Sequence, residues 1–243
     1  MTRTVVVTGG GRGIGRAVAQ RFLADGERVV ALGRDLGVLR SVAGADHIVC
    51  DVTDEGSVIS TFDLIGPVDV LVNNAGIGES APLQRTTLDA WSRHLAVNAT
   101  GPFLCMRAVV GGMRERGAGA IVTVASTVGR AGAPYTAAYA ASKHAVVGLT
   151  RAAAAELAGT GVRVNAVCPT FVRTELTERA IANIVQRTGR TAEQAGDALA
   201  ASSPLGRLLE PEEVADAIAY LASPAAAAIN GQALVIDGGG IQG

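Results

Sequence analysis

Lysine is almost missing from this sequence. Of its 21 basic residues, 20 are arginine and one, Lys143, is a primary amine. Arginine is a planar and permanent cation, whereas an ammonium is a compact point charge with rotatable donors. A chain that meets every other need for positive charge with guanidinium keeps a primary amine at one place. That is either a chemical requirement or a leftover of compositional bias, and the neighbours must decide. An excess of one charge is missing too, since 22 acidic residues offset the basic ones. With no basic field and no polybasic stretch, neither nucleic acid nor a membrane surface is an expected partner. No apolar run is long enough to span a bilayer. Met1-Thr2-Arg3 leads straight into the apolar run at 4–8, so no signal peptide is expected and a cytoplasmic location is. Cysteine is scarce: Cys50, Cys105 and Cys168 are odd in number, widely spaced and set in apolar runs. They read as buried thiols in a reducing compartment. His47, His94 and His144 have no metal-ligand spacing, so no metal site is expected and structural roles are.

What the chain does have is alternation. β-Branched apolar runs at 4–8, 28–32, 46–50, 68–72, 120–126, 162–168 and 232–236 are strand candidates. Between them, helical periodicity covers 13–25, 54–64, 87–117, 137–158 and 211–222. Continuously apolar strands separated by helices imply a parallel sheet covered on both faces. Right-handed crossovers then make it doubly wound. The expected fold is therefore a single α/β domain over 1–243, a Rossmann fold with a seven-stranded parallel sheet. Residues 174–210 break the rhythm with short helices of mixed polar and apolar residues between Pro169 and Pro211. Following a strand's carboxyl end, they read either as a substrate lid or as a surface excursion.

Thr8-Gly9-Gly10-Gly11-Arg12-Gly13-Ile14-Gly15 joins the first strand to the first helix. Glycines there allow a tight turn and let a pyrophosphate approach the helix N-terminus, whose free N–H groups favour anions. The spacing differs from the commoner G-x-G-x-x-G in every register, and a tight turn alone also uses glycine. The second strand ends Gly33-Arg34-Asp35, with an arginine where an acid would repel a 2′-phosphate. Arg34 and Arg12 together would neutralise that phosphate and favour NADP over NAD. Alternatively both are solvated loop charges and Asp35 binds a ribose.

Tyr139 and Lys143 lie four apart in a helical segment, one turn apart on one face. No other formal charge follows on that helix until Arg151, so the ammonium is expected to be partly desolvated and to favour the phenolate. Ser126 ends the 120–126 strand at the carboxyl edge of the sheet, within reach of the same substrate oxygen. Asn98 falls where the long helix candidate is interrupted by Gly101-Pro102, and its amide is a candidate water ligand.

These residues make the chain resemble the short-chain dehydrogenase/reductase family. The likeness runs through the 8–15 loop, Asp51-Val52, Asn73-Asn74-Ala75-Gly76, Asn98, Ser126, Tyr139-x-x-x-Lys143 and the segment from Pro169 to Thr174. The resemblance implies Tyr139 as general acid/base and Lys143 as the group that lowers its pKa and binds the nicotinamide ribose. It implies Ser126 as carbonyl orienter and Asn98 as anchor of a relay water. Gly9, Arg12, Gly13, Ile14, Gly15, Arg34, Asp51, Val52, Asn74, Ala75, Gly76, Pro169, Thr170, Val172 and Thr174 would hold the cofactor. One departure is Pro169-Thr170, where the family usually has Pro-Gly.

The implied activity is NADP(H)-dependent interconversion of a ketone and a secondary alcohol, with 3-oxoacyl thioesters, including acyl-CoA, among the candidate substrates. A carrier-protein substrate is disfavoured, because Gly117 and Thr160 stand where such reductases carry arginines. The alternatives are an NAD-dependent secondary-alcohol or 3-hydroxyacyl-CoA dehydrogenase and a non-catalytic dinucleotide sensor. The segments 103–113 and 137–150 are apolar nearly all round, which with the resemblance implies a homodimer or homotetramer.

Overall fold

Strands buried on both faces need helices above and below them. The computed structural model, which describes residues 2–242, supplies both layers. The strands are β1 (Thr4–Thr8), β2 (Arg28–Gly33), β3 (Asp46–Val49), β4 (Val70–Asn73), β5 (Gly119–Val124), β6 (Val162–Pro169) and β7 (Ala233–Ile236). They pair in the order β3-β2-β1-β4-β5-β6-β7, every pairing parallel. The helices are α1 (Gly13–Ala24), α2 (Leu36–Leu39), α3 (Glu55–Ile65), α4 (Leu88–Leu95), α5 (Gly101–Arg116), α6 (Ala137–Glu156), α7 (Glu175–Thr188), α8 (Ala192–Ala200) and α9 (Pro211–Ala222).

Alternation along β1 shows how the two layers are built. Val5 and Val7 pack with Val18 and Phe22 of α1 and with Val214 and Ile218 of α9. Val6 points the other way, into Val58 and Phe62 of α3 and Leu104 and Met113 of α5. The chain winds outward from β1 on one side and from β4 on the other, so a crevice opens where the order reverses, above the carboxyl ends of β1 and β4.

Two elements differ from the expectation. β5 stops at Val124, so Ser126 stands beyond the strand and caps a short 3-10 turn over Thr127–Gly129. The helix expected to break at Gly101-Pro102 runs on. A π turn over Ala96–Thr100 joins α4 to α5, and the Gly101 N–H donates to the Ala96 carbonyl five residues back. Proline has no N–H to give, and the wide turn ahead of Pro102 lets the helix continue through it. The 174–210 excursion contains α7 and α8. A parallel bridge between Val172 and Leu209 closes its root, with the Leu209 N–H donating to the Phe171 carbonyl at 2.9 Å.

The core has one polar flaw. Asn73 on β4 and Thr123 on β5 are register partners, 2% and 1% exposed. The Asn73 amide and the Thr123 hydroxyl have no hydrogen-bond partner among the described residues. A buried hydroxyl without a partner carries its desolvation cost uncompensated. Thr123→Val keeps the shape and removes the hydroxyl, so it should raise the urea-unfolding free energy by about 1 kcal/mol. A loss of stability would show that the hydroxyl is satisfied.

Candidate active site

The glycine loop opens the crevice. Gly9 (φ 63°) and Gly13 (φ 50°) have left-handed backbones that other residues seldom adopt. A Cβ on Gly15 would stand 2.2 Å from the Gly9 carbonyl oxygen, so the loop folds back onto α1 only with glycine there. α1 has no side-chain cap and no acidic residue in its first turn, which leaves its N–H groups for an anion. Asn74 buttresses the loop from behind, its amide donating to the carbonyls of Thr8 (3.0 Å) and Gly9 (3.1 Å). The Thr8 hydroxyl accepts from the N–H groups of Asn74 and Ala75, both at 3.0 Å.

A cleft of about 540 Å³ runs from this loop across the sheet edge. Gly9, Arg12, Gly13, Ile14, Arg34, Asp51, Val52, Asn74, Ala75, Gly76, Tyr139, Lys143 and Thr174 line it, as expected for one dinucleotide. Gly15, Pro169, Thr170, Val172, Asn98 and Ser126 do not. Val172 is core, packed in the cluster under α9. The Thr170 N–H donates to the Ile236 carbonyl beside β7.

The charges at the adenosine end are arranged asymmetrically. Arg34 is exposed and makes no ion pair among the described residues. Asp35 is occupied: its carboxylate accepts from the Val38 N–H at 3.1 Å and caps α2. The Asp51 carboxyl lies below its ordinary range, chiefly through the Thr53 N–H it accepts, with the Arg34 charge adding to the effect. Arg12 lines the cleft with an ion pair of its own. Its guanidinium pairs with Glu175 at the start of α7 (2.7 Å), tying the glycine loop to the excursion.

The proton-handling group is built where α6 crosses the end of β5. Lys143 is 5% exposed, and its Nζ donates to the Val124 carbonyl at 2.8 Å. No carboxylate pairs with it among the described residues, and burial lowers its pKa to about 8. Its Nζ lies 5.8 Å from the centre of the Tyr139 ring. The Tyr139 phenol is pushed up by burial, with hydrogen bonding to Ser126 opposing. The expected lowering by Lys143 is therefore not expressed in the protein alone. Burial outweighs the Ser126 hydrogen bond there.

Asn98 sits in the middle of the π turn and its amide is engaged. Oδ1 accepts from the Ile77 N–H, and Nδ2 donates to the Ile77 carbonyl and the Ser142 hydroxyl, all at 2.9 Å. Ser142 in turn donates to the Tyr139 carbonyl at 2.7 Å. The amide thus stitches the loop after β4 to the first turns of α6, and its Oδ1 keeps a second lone pair.

Two contributors escaped the sequence reading. Ser142 completes that stitch. His94, 1% exposed, meets the Tyr139 ring edge-on at 6.3 Å between centroids. Its Nε2 accepts from the Glu79 N–H (3.1 Å), so its Nδ1 carries the proton that goes to the Ala90 carbonyl (2.7 Å). Its position four residues before Asn98 puts both on one helix face, and that spacing was the available signal. Among the described residues there is no cluster of three metal-ligating side chains.

Comparison with known proteins agrees with this geometry. A family model described as enoyl-(acyl carrier protein) reductase matches residues 9–240. The chain is 40% identical to a D-threitol dehydrogenase of Mycolicibacterium smegmatis, covering 98% of this chain and 92% of that protein. It is 41% identical to a cis-4-hydroxycyclohexanecarboxylate dehydrogenase of Sinomonas cyclohexanicum, covering 98% and 96%. A crystal structure of a variant actinorhodin polyketide ketoreductase with NADPH superposes with a TM-score of 0.92 at 39% identity, covering 98% of this chain and 97% of that one. The chain belongs to the short-chain dehydrogenase/reductase family, whose members interconvert ketones and secondary alcohols with a nicotinamide cofactor.

Proposed function

We propose that this chain reduces a small ketone to a secondary alcohol with NADPH, with Tyr139 as the proton donor. The observation that carries the proposal is a buried ammonium with no carboxylate partner, beside a tyrosine, in the same cleft as the free Arg34.

The residues fit the cofactor. The glycine loop and the first turn of α1 would take the pyrophosphate, and Arg34 the 2′-phosphate, by charge-assisted hydrogen bonds. Asp51 and Val52 would flank the adenine. Thr174, whose methyl closes to 3.1 Å on a Cβ built at Gly13, would help fix the carboxamide. When bound, the nicotinamide supplies hydride to the carbonyl carbon or accepts it. Ser126 donates to the carbonyl oxygen and Tyr139 gives it a proton. The Lys143 ammonium stabilises the phenolate left behind and would hold the nicotinamide ribose. Asn98 stitches Ile77 to α6 and would anchor a relay water. Arg34, exposed in the cleft and without an ion pair among the described residues, favours NADPH over NADH.

The excursion from 174 to 210 would serve as the substrate lid, latched by Arg12–Glu175. Acyl-CoA thioesters remain within the substrate class. The exposed alanine and glycine face of α6 is the surface through which a homodimer or homotetramer would form, a state that light scattering reads directly.

Tyr139→Phe should lower kcat for cyclohexanone or acetoacetyl-CoA reduction by about 10²-fold or more. NADPH binding, followed by fluorescence titration, should persist. Retained turnover would remove Tyr139 from the chemistry. Arg34→Ala should raise the KM for NADPH by about tenfold and leave that for NADH nearly unchanged. Equal changes for both cofactors would overturn the NADPH assignment.

A further inference from the structure

A second cavity of about 250 Å³ lies outside the cofactor cleft. Its walls are the loop and helix start that follow β4, the segment leading into α6, and Arg187 near the end of α7. His94 forms part of its lining, and its imidazole also meets the Tyr139 ring. Ala137 and Ala138, the residues immediately before Tyr139, also line it. The cavity therefore sits one side chain away from the proposed proton donor.

The walls are tied together. The Ala81 N–H donates to the Tyr135 carbonyl at 2.8 Å, and Tyr135 is the one non-glycine residue with a left-handed backbone among the described residues (φ 65°). Strain of that kind persists where surrounding structure holds it, and gathers at binding sites. The Asn183 amide donates to the Ser80 hydroxyl at 3.0 Å, fastening α7 to the same loop.

The charge of the lining is unbalanced. It carries Arg85, Arg93 and Arg187 against the single carboxylate of Glu79. Arg93 is engaged by Glu79 at 3.2 Å and by Asp89 at 3.4 Å. Arg85 and Arg187 come from separate elements, and among the described residues neither makes an ion pair or a side-chain hydrogen bond. Two arginines without a side-chain partner in the lining of one small cavity suit an anion. Their planar forks match a carboxylate, and the volume is small for the several phosphates of a coenzyme A tail.

We propose that this cavity is an anion subsite of the substrate pocket, and that Arg85 and Arg187 hold the carboxylate of a keto acid whose ketone reaches Tyr139. This deepens the ketone-reductase reading and rests on Tyr139 being the proton donor.

The test compares methyl-ketone acids of increasing chain length, beginning with levulinate, each beside its methyl ester. NADPH-dependent kcat/KM is measured at low and at moderate ionic strength in the unaltered protein and in Arg85→Ala, Arg187→Ala and the double variant. Both side chains are exposed, so the variants are expected to fold. At the chain length that spans the two sites, acid should exceed ester by about tenfold through KM, less as salt rises. The ratio should fall to about one in the double variant. Equal acid and ester at every length, or a preference that survives both substitutions, overturns the subsite.

Turnover of the esters without an acid preference would sink the subsite and leave the reductase reading intact. If no ketone turns over, calorimetric titration of the same acids into the protein with NADPH decides separately. Acid binding lost in the double variant supports the subsite, and no acid binding in the unaltered protein overturns it.

Discussion

A buried ammonium without a counter-carboxylate is costly, and the site is arranged around holding one. Lys143 projects from α6 under the crevice, where its Nζ finds the Val124 carbonyl at the very end of β5. The fall in its pKa from 10.5 to about 8 puts burial's cost to the charged form at roughly 3 kcal/mol. That contact works only if α6 is docked against the end of β5 and the loop after β4 is held close. A Cβ on Gly76 in that loop would come within 3.7 Å of the Nζ. The Asn98–Ile77 and Asn98–Ser142 hydrogen bonds fix the loop and the helix relative to each other. The cation, the phenol and the cleft wall are thus one constraint seen from three sides.

The same economy shapes the rest of the crevice. A sheet whose order reverses between β1 and β4 leaves strand ends with room above them, and glycine lets the backbone turn there. Positive charge is placed outside that backbone cradle, at Arg34 and Arg12. Only Arg34 is free, whereas Arg12 is held by Glu175 across the mouth of the cleft. The pair is half-exposed, so its worth in isolation is small. Its consequence is geometric, since it ties the glycine loop to the start of α7.

The fold was legible because both faces of the sheet are buried, which leaves strands such as Val5-Val6-Val7 uninterrupted by polar residues. Tyr139 and Lys143 were legible because helical spacing is local, and the match of motifs to a known family carried Ser126 and Asn98 with them. What stayed hidden depends on tertiary contacts. Arg12 and Glu175 are 163 residues apart, and nothing in either neighbourhood announces the pair. The partners of the Asn98 amide at Ile77 and Ser142 were likewise out of sight. Gly101-Pro102 reads as a break by propensity, yet a π turn carries the helix through. The upward shift of the Tyr139 phenol could not be read from spacing either. It depends on how deeply the hydroxyl is buried.

The scarcity of lysine that first singled out position 143 also makes it measurable. Protein prepared with lysine labelled at Cε gives one side-chain resonance, because the chain has no other lysine to confuse it. Following that resonance with pH in the cofactor-free protein reads the ammonium directly. Titration with a midpoint near 8 is the expected result for a buried cation held by a backbone carbonyl. A midpoint at the ordinary value for lysine, about 10.4, would place the amine in water and contradict the account of the site.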